Sequence, residues 1–261
     1  MEICTLASGS SGNCTLIRSG GSAVLVDAGV SLRRIVRSLA GLGLCPEDVD
    51  AVLVTHEHAD HTAALGMIAK YTNIPILAPY GALRGLLSAQ PEAEEAAAGF
   101  EAGEELVFGR MIVRSFRTPH DVPESVGYRF EDGKASCAVC TDLGCVPPEV
   151  LAACSGAGTV LLESNHDEEM LRCGPYPAAL KRRILSDRGH LSNGASGAFA
   201  VSLAASGTRR FILGHLSREN NTPSLALRTV GAALSEAGCI PGRDVGLYAA
   251  PRSEPGEVFE C

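Results

Sequence analysis

Tryptophan is absent from the 261 residues, and aromatic side chains make up only 5% of them. The core must therefore be built from Ala, Val, Leu and Ile. No alternation of aromatic with basic residues offers a stacking platform for single-stranded nucleic acid. No apolar run approaches the roughly 20 residues of a transmembrane helix. Met1-Glu2-Ile3-Cys4 carries no basic n-region, so no secretory signal is expected and the cytoplasm is the expected location. Linkers and short repeats are also missing. With 46% apolar and 20% charged residues the composition excludes a wholly disordered chain. The expectation is one domain, residues 1–261, with a sizeable core.

Ten cysteines are present but scattered, and without export thiols stay reduced. Cys137-Ala-Val-Cys140 has C-x-x-C spacing, yet its flanks read as a strand. Positions i and i+3 then point to opposite faces, so the two are expected to be small buried hydrophobes rather than a redox or metal pair. A net charge of −8 argues against a polyanionic partner. Its distribution argues the other way. Between Arg172 and Arg218 lie eight basic residues and one acid, Asp187, leaving fourteen basic and twenty-nine acidic residues elsewhere. A solvated helix face is one reading. A phosphate-facing patch that includes Arg182, Arg183 and Arg218 is the other.

Strands are expected at Ile3–Leu6, Cys14–Ile17 and Ala23–Val26 as an antiparallel meander, with Ser8–Asn13 as a flexible turn. Leu32, Ile35, Val36, Leu39 and Leu42 share a helical face that Ser31 can cap. Further strands are expected at 51–54, 74–77, 106–108, 111–116, 126–130, 135–141, 159–162, 211–213 and 245–249. Helices are expected at 63–71, 194–205 and 225–237. Residues 90–103 read as an exposed acidic connection.

The informative residues are the histidines. His56-Glu-His58-Ala-Asp60-His61 follows an apolar strand, and three imidazoles with a carboxylate in six residues cannot all be core. These are ligands for zinc, manganese or iron, and one such loop can feed two adjacent metals. His120, His166, His190 and His215 each flank an apolar segment, and Asp142 closes another. Strand ends are where a sheet scaffold converges polar groups. His190 precedes a helix that Ser192 or Asn193 can cap, where backbone N–H groups favour an anion. Gly189–Ser192 is thus expected to hold a substrate phosphate, with His190 donating a proton. The helix dipole opposes an imidazolium there, so an acidic partner is needed, and Glu163 is the candidate. His166 is open between substrate contact and a structural role.

With these motifs the chain resembles the metallo-β-lactamase fold superfamily along essentially its whole length. Asp27 in Val-Asp-Ala-Gly, H-x-H-x-D-H, His120, Asp142 and His215 occur in order. Leu6-Ala-Ser-Gly-Ser-Ser-Gly-Asn-Cys14, Glu163-Ser-Asn-His-Asp167, Lys181-Arg-Arg-Ile-Leu-Ser-Asp187, Gly189-His-Leu-Ser192 and His215-Leu-Ser-Arg-Glu-Asn-Asn221 are similar to the YycJ/WalJ branch, related to the superfamily's nucleases. The resemblance implies an α/β fold, a four-layer αβ/βα sandwich of two mixed sheets flanked by helices. It assigns one metal to His56, His58 and His120, a second to Asp60, His61 and His215, and makes Asp142 the bridge. Asp27 orients the histidine loop. True β-lactamases of the superfamily usually carry Cys in place of Asp142 and lack the equivalent of His61, so β-lactam hydrolysis is disfavoured.

Two divalent ions activate a bridging hydroxide, so phosphodiester hydrolysis needs no protein nucleophile. Asp60 accepts the remaining hydrogen bond of that hydroxide. The expected activity is a nuclease acting on DNA more readily than RNA, and the family implication is a 5′-to-3′ exonuclease. The rival reading is a small-molecule hydrolase, a glyoxalase-type thioesterase or a lactonase, using the same ligands. A non-catalytic metal-bound scaffold is a third. No accessory domain is found, so a polymer would be gripped by the basic segment itself.

Overall fold

In the computed structural model, which describes residues 1–261, the first three strands, buried along nearly their whole length, pair as the expected meander. They are β1 (Glu2–Ala7), β2 (Cys14–Ser19) and β3 (Ser22–Val26). Helix α1 (Leu32–Gly41) buries Ile35 and Leu39, four residues apart on one face. Ser31 occupies its N-cap position without making the expected side-chain bond. Strands β4 (Ala51–Leu53) and β5 (Ile76–Pro79) add in parallel beside β3. Between them lie α2 (Ala59–Thr62) and α3 (Leu65–Tyr71), so the helical stretch starts inside the histidine motif rather than after it. Next come α4 (Tyr80–Ala89) and β6 (Ala97–Phe100), parallel to β5. Glu92, Glu94 and Glu95 are exposed as expected, but β6 corrects the reading of 90–103 as connection alone. Ala-Ala-Gly-Phe has weak strand propensity; the edge of β5 organises it.

The second half repeats the plan. Antiparallel β7 (Glu105–Phe108), β8 (Met111–Arg117), β9 (Val126–Glu131) and β10 (Ser136–Cys140) lead into parallel β11 (Thr159–Glu163), β12 (Arg210–Gly214) and β13 (Gly246–Ala249). The helices are α5 (Pro148–Cys154), α6 (Glu168–Cys173), α7 (Ala178–Ile184), α8 (Asn193–Ala205) and α9 (Pro223–Glu236). A final β14 (Phe259–Glu260) pairs with β1.

The strands form two seven-stranded sheets, β14-β1-β2-β3-β4-β5-β6 and β13-β12-β11-β10-β9-β8-β7. Val24, Leu53, Val113, Tyr128 and Leu161 belong to the cluster packed between them. Ile35 and Leu39 of α1 with Ile68 of α3 cover the outer face of the first sheet. Phe199 and Leu203 of α8 with Val230 of α9 cover that of the second. This is the expected four-layer sandwich. All ten cysteines are free, and Cys137 faces the inter-sheet core while Cys140 faces the α8–α9 layer. No helix is long and apolar enough to cross a membrane. Strands β3, β4, β8, β10, β11 and β12 run in one sense within their sheets, and their C-terminal ends carry the residues of interest.

Candidate metal centre

Two groups of donors meet at those strand ends. In the first, His56 Nε2 lies 3.0 Å from His58 Nδ1, and His120 Nε2 lies 3.4 Å from the same atom. In the second, His215 Nε2 is 3.4 Å from Asp60 Oδ2, and His61 Nε2 is 3.6 Å from that oxygen. Asp142 sits between the groups, with Oδ2 3.3 Å from His61 Nε2 and Oδ1 3.4 Å from His215 Nδ1. Within each of the sets His56–His58–His120, His56–His61–Asp142 and Asp60–His61–His215 the donor atoms lie within 4.8 Å of one another.

The far sides of the rings are already engaged. Thr55 Oγ1 lies 3.0 Å from His56 Nδ1 and donates its own hydrogen to Asp27. His61 Nδ1 donates to Asp27 at 2.7 Å, His120 Nδ1 to the Gly189 carbonyl at 3.2 Å, and His215 Nδ1 to Glu163 at 2.8 Å. Each bond fixes the orientation of its ring and turns the opposite nitrogen toward the neighbouring donors, the pattern of outer partners around metal-ligating histidine. Asp142 Oδ2 is buried and has no hydrogen-bond partner, an expensive arrangement that a cation would relieve. The residues therefore fit divalent ions.

The backbone is bent to make this arrangement. The chain has three non-glycine residues at positive φ, Asp27 (61°), Asp142 (58°) and His215 (54°), and all three are in the site. Such backbone clusters where function over-determines it. The histidine loop is also seated closely. A Cβ on Gly29 would lie 1.7 Å from the Asp60 carbonyl oxygen, so only glycine lets the strand end pass. Asn13 N and Nδ2 both donate to that same carbonyl.

The protonation pattern differs between the two groups. Burial first, then neighbouring imidazoles, hold His56 well below the usual histidine range and lower His58; burial lowers His120 too. For His61 burial also opposes charge, but Asp142, Asp27 and Asp60 outweigh it and push the pKa up to about 9. His215 is raised well above its ordinary value against the same burial, by Asp142, Asp60 and Glu163. Asp60 stays ionised because His215 and His61 overcome its burial.

Glu163 is the hub beside the donors. It is fully buried, and Oε1 accepts from both His215 Nδ1 and His190 Nδ1 at 2.8 Å. Its Oε2 accepts the N–H of Leu143 and of Leu191 at 3.1 Å. With both oxygens saturated, Glu163 serves as an acceptor, although it lies in a further donor group with Asp142, His190 and His215. His190 keeps 18% exposure, its ring 5.1 Å from His120 and 5.2 Å from His215, with Nε2 unengaged. The acidic partner expected for His190 is thus in contact with it.

Other expected site residues are placed differently. His166 is 1% exposed with neither ring nitrogen partnered. The N-terminus of α8 is largely satisfied. Asn193 N donates to the His166 carbonyl and Ala195 N to Ser192 Oγ, which corrects the expectation of several free N–H groups there. The basic segment is not one patch. Arg183 pairs with Asp121 next to His120, and Arg188 donates to the His120 and Val122 carbonyls. Arg172 pairs with Glu168, and Arg210 binds the Glu260 carbonyl at the start of β12, away from the strand ends that carry the donors. Arg182 and Arg218 are exposed without an acid partner. Asn13 and Thr55 escaped the sequence reading. Thr55 stood between strand and histidine, and Asn13 in the Ser/Gly cluster, but neither residue type marks such a role.

The model of the "Metallo-beta-lactamase superfamily" matches residues 7–215. The chain belongs to the metallo-β-lactamase superfamily. It is 36% identical over 246 residues to "Exodeoxyribonuclease WalJ" of Streptococcus pneumoniae serotype 2 (strain D39 / NCTC 7466), covering 93% of this chain and 91% of that protein. It is also 36% identical over 241 residues to "Exodeoxyribonuclease YycJ" of Bacillus anthracis, covering 91% and 90%. Among solved structures, zinc-bound PqqB from Methylobacterium extorquens superimposes with a TM-score of 0.75 at 18% identity over the full length of both chains, a likeness of fold. The donor groups of this chain lie at the C-terminal ends of strands from both of its sheets.

Proposed function

We propose that this chain is a metal-dependent phosphodiesterase that shortens DNA from an end, a 5′-to-3′ exodeoxyribonuclease, and that it works in the cytoplasm. The observation that carries this reading is the Glu163–His190 pair at the edge of a full set of metal donors. The chain's 36% identity to relatives named exodeoxyribonuclease supports it. His56, His58 and His120 would hold one divalent ion; Asp60, His61 and His215 a second; and Asp142 both. Zinc, manganese and iron all suit a His/Asp set. Two such ions supply a hydroxide at neutral pH and positive charge against the phosphoryl oxygens.

The chain's own groups do the rest. Asp60, ionised and part-exposed, accepts a hydrogen bond from the attacking water and orients it. His190 gives its proton from Nε2 to the leaving oxygen, while Glu163 holds Nδ1–H and stabilises the charged ring. Arg182, Arg183 and Arg218 receive the strand, Arg183 less strongly because Asp121 neutralises it. Ser192 serves chiefly as the cap of α8, and His166 packs beneath it.

The test is the metal-loaded protein on end-labelled single- and double-stranded DNA and RNA, with metal content measured on the same sample. Stepwise shortening of DNA, stopped by chelation, is the expected result. A lactone or thioester turned over far faster than DNA would assign the site to small-molecule hydrolysis instead.

A further inference from the structure

One carboxylate oxygen serves two rings in this site. His190 Nδ1 and His215 Nδ1 both lie 2.8 Å from Glu163 Oε1, and the ring centroids are 5.2 Å apart. The two histidines come from different elements: His190 precedes α8 and His215 follows β12. Hydrogen bonds tie each of their segments to the end of β11. Leu191 N donates to Glu163 Oε2, Asn165 N to the Leu191 carbonyl and Asn193 N to the His166 carbonyl. Ser164 N donates to the Gly214 carbonyl and Ser217 N to the Asn165 carbonyl. Asn165 Nδ2 donates to the His215 carbonyl at 2.9 Å and His215 N donates to Ser8 Oγ at 2.8 Å, so side chains satisfy both main-chain groups of a residue at φ 54°.

The segments 190–193 and 214–221 are joined to each other at one place. Asn193 Nδ2 donates to Asn221 Oδ1 at 3.0 Å and Asn221 Nδ2 donates to Asn193 Oδ1 at 2.8 Å, and no other hydrogen bond links the two segments directly. Ser164 Oγ donates to the same Asn193 Oδ1 at 2.6 Å. Asn221 Nδ2 also reaches the Ser164 carbonyl at 2.8 Å, and Asn221 Oδ1 accepts from Thr222 N at 2.9 Å. Ser164, Asn165, Asn193 and Asn221 are all buried. Buried amides are costly unless paired, and a fully paired network specifies one arrangement where an apolar contact would tolerate sliding.

We propose that the Asn193–Asn221 amide pair, locked by Ser164, aims His190 at the leaving oxygen by fixing its segment against the one that carries the metal donor His215. Glu163 alone does not achieve this. A carboxylate oxygen accepts over a broad range of directions, so a ring held only by that bond is free to swing. Misplacing a reacting group by about 1 Å can cost on the order of 10² in rate. Ser164, Asn193 and Asn221 lie outside every donor group and act through His190, as positioning residues. The role rests on the nuclease reading and adds how its acid is held.

Zinc-loaded wild type, Asn193→Asp, His190→Ala and the double variant are given DNA and an aryl phosphodiester, with metal content measured on each. Asn193→Asp keeps the side-chain shape but sets an oxygen against Asn221 Oδ1. It should lower kcat on DNA on the order of 10²-fold, with KM and metal content unchanged. The loss should shrink on the aryl ester. The double variant should be no slower on DNA than His190→Ala alone, because a group that acts through His190 then has nothing left to aim. Proton NMR of the zinc-loaded protein gives a second readout. The Nδ1–H protons of His190 and His215 on Glu163 should appear downfield, and His190→Ala identifies the first. Asn193→Asp should shift the His190 signal and leave that of His215. Ser164→Ala, which removes one bond of the network, should move both readouts in the same direction and reports even if Asn193→Asp fails to fold. Multiplied losses in the double variant, equal losses on the two substrates, a lost ion or an unmoved His190 signal overturns the role of the amide pair. A wild type that binds zinc and leaves DNA uncut sinks the nuclease reading, and the NMR comparison then still decides whether the pair holds His190.

Discussion

The two donor groups differ more than their shared loop suggests. His56, His58 and His120 form an all-imidazole corner whose rings are held neutral by burial and by one another. Asp60, His61 and His215, with Asp142, form a carboxylate corner whose two rings are pushed toward the charged form. The first corner offers lone pairs as folded. The second holds protons where a cation would sit, and gains or loses them with its ligand. One is built to hold an ion; the other is built to exchange charge.

The largest effect that separates them is expected from Asp60→Ala. It should abolish hydrolysis and reduce the bound metal by the ion of the carboxylate corner, with the fold intact. Rate, metal content and thermal melt on one sample check this, and retained activity with a lost ion would place the chemistry elsewhere. His190→Ala should leave both corners loaded yet slow cleavage on the order of 10²–10⁴-fold, as for a lost general acid. The loss should shrink on an aryl phosphodiester, whose leaving group needs no proton. Equal losses on the two substrates would assign His190 to binding.

Asp27→Asn reaches the carboxylate corner through His61. Weakening of about 10- to 100-fold is expected for the ion of that corner, and less for the other, which Asp27 reaches only through Thr55 and His56. Competition with a chromogenic chelator resolves it, and equal weakening of both ions would erase the distinction between the corners. For pH the sign follows from His61. Its folded value of about 9 lies above the ordinary 6.5, so its contribution to metal-free stability is full below 6.5 and lost as pH rises through 9. Metal must displace that proton. Affinity at the carboxylate corner should therefore climb from pH 6.5 toward 9, while the imidazole corner, already neutral at pH 7, stays level. Stepwise calorimetric titrations at several pH values test this, and parallel slopes would contradict it. The smallest effect lies outside both corners. Arg182→Ala should lower the slope of log affinity against log salt by about one, and Arg183→Ala by less because of Asp121.

Much of this was legible in the residues. Apolar strands ending in His, Asp or Glu placed β3, β4, β10, β11 and β12 and the donors beyond them. The need for an acid beside His190 pointed to Glu163. What escaped had weak local signals. In α4, Gly81 and Gly85 depress helix propensity, and their place is explained only by Glu124 and Glu57 packing where a Cβ would stand. Helices α6 and α7 span six and seven residues, too short for a periodic pattern. The fate of the basic segment depended on tertiary partners such as Asp121 and the His120 carbonyl, which no spacing along the chain encodes.

Asp27, Asp142 and His215 share one backbone peculiarity, a left-handed φ at the end of a strand. In evolutionary terms this ties the least replaceable side chains to the least comfortable main chain. Glycine would relax each position and remove a functional group with the same step. Each strained residue costs on the order of 1–3 kcal/mol, against a total stability of about 5–15 kcal/mol for a typical domain. Selection for thermal robustness alone would therefore push these three positions toward glycine. Asp27, Asp142 and His215 place at strand ends side chains that glycine lacks, and the backbone bears the cost.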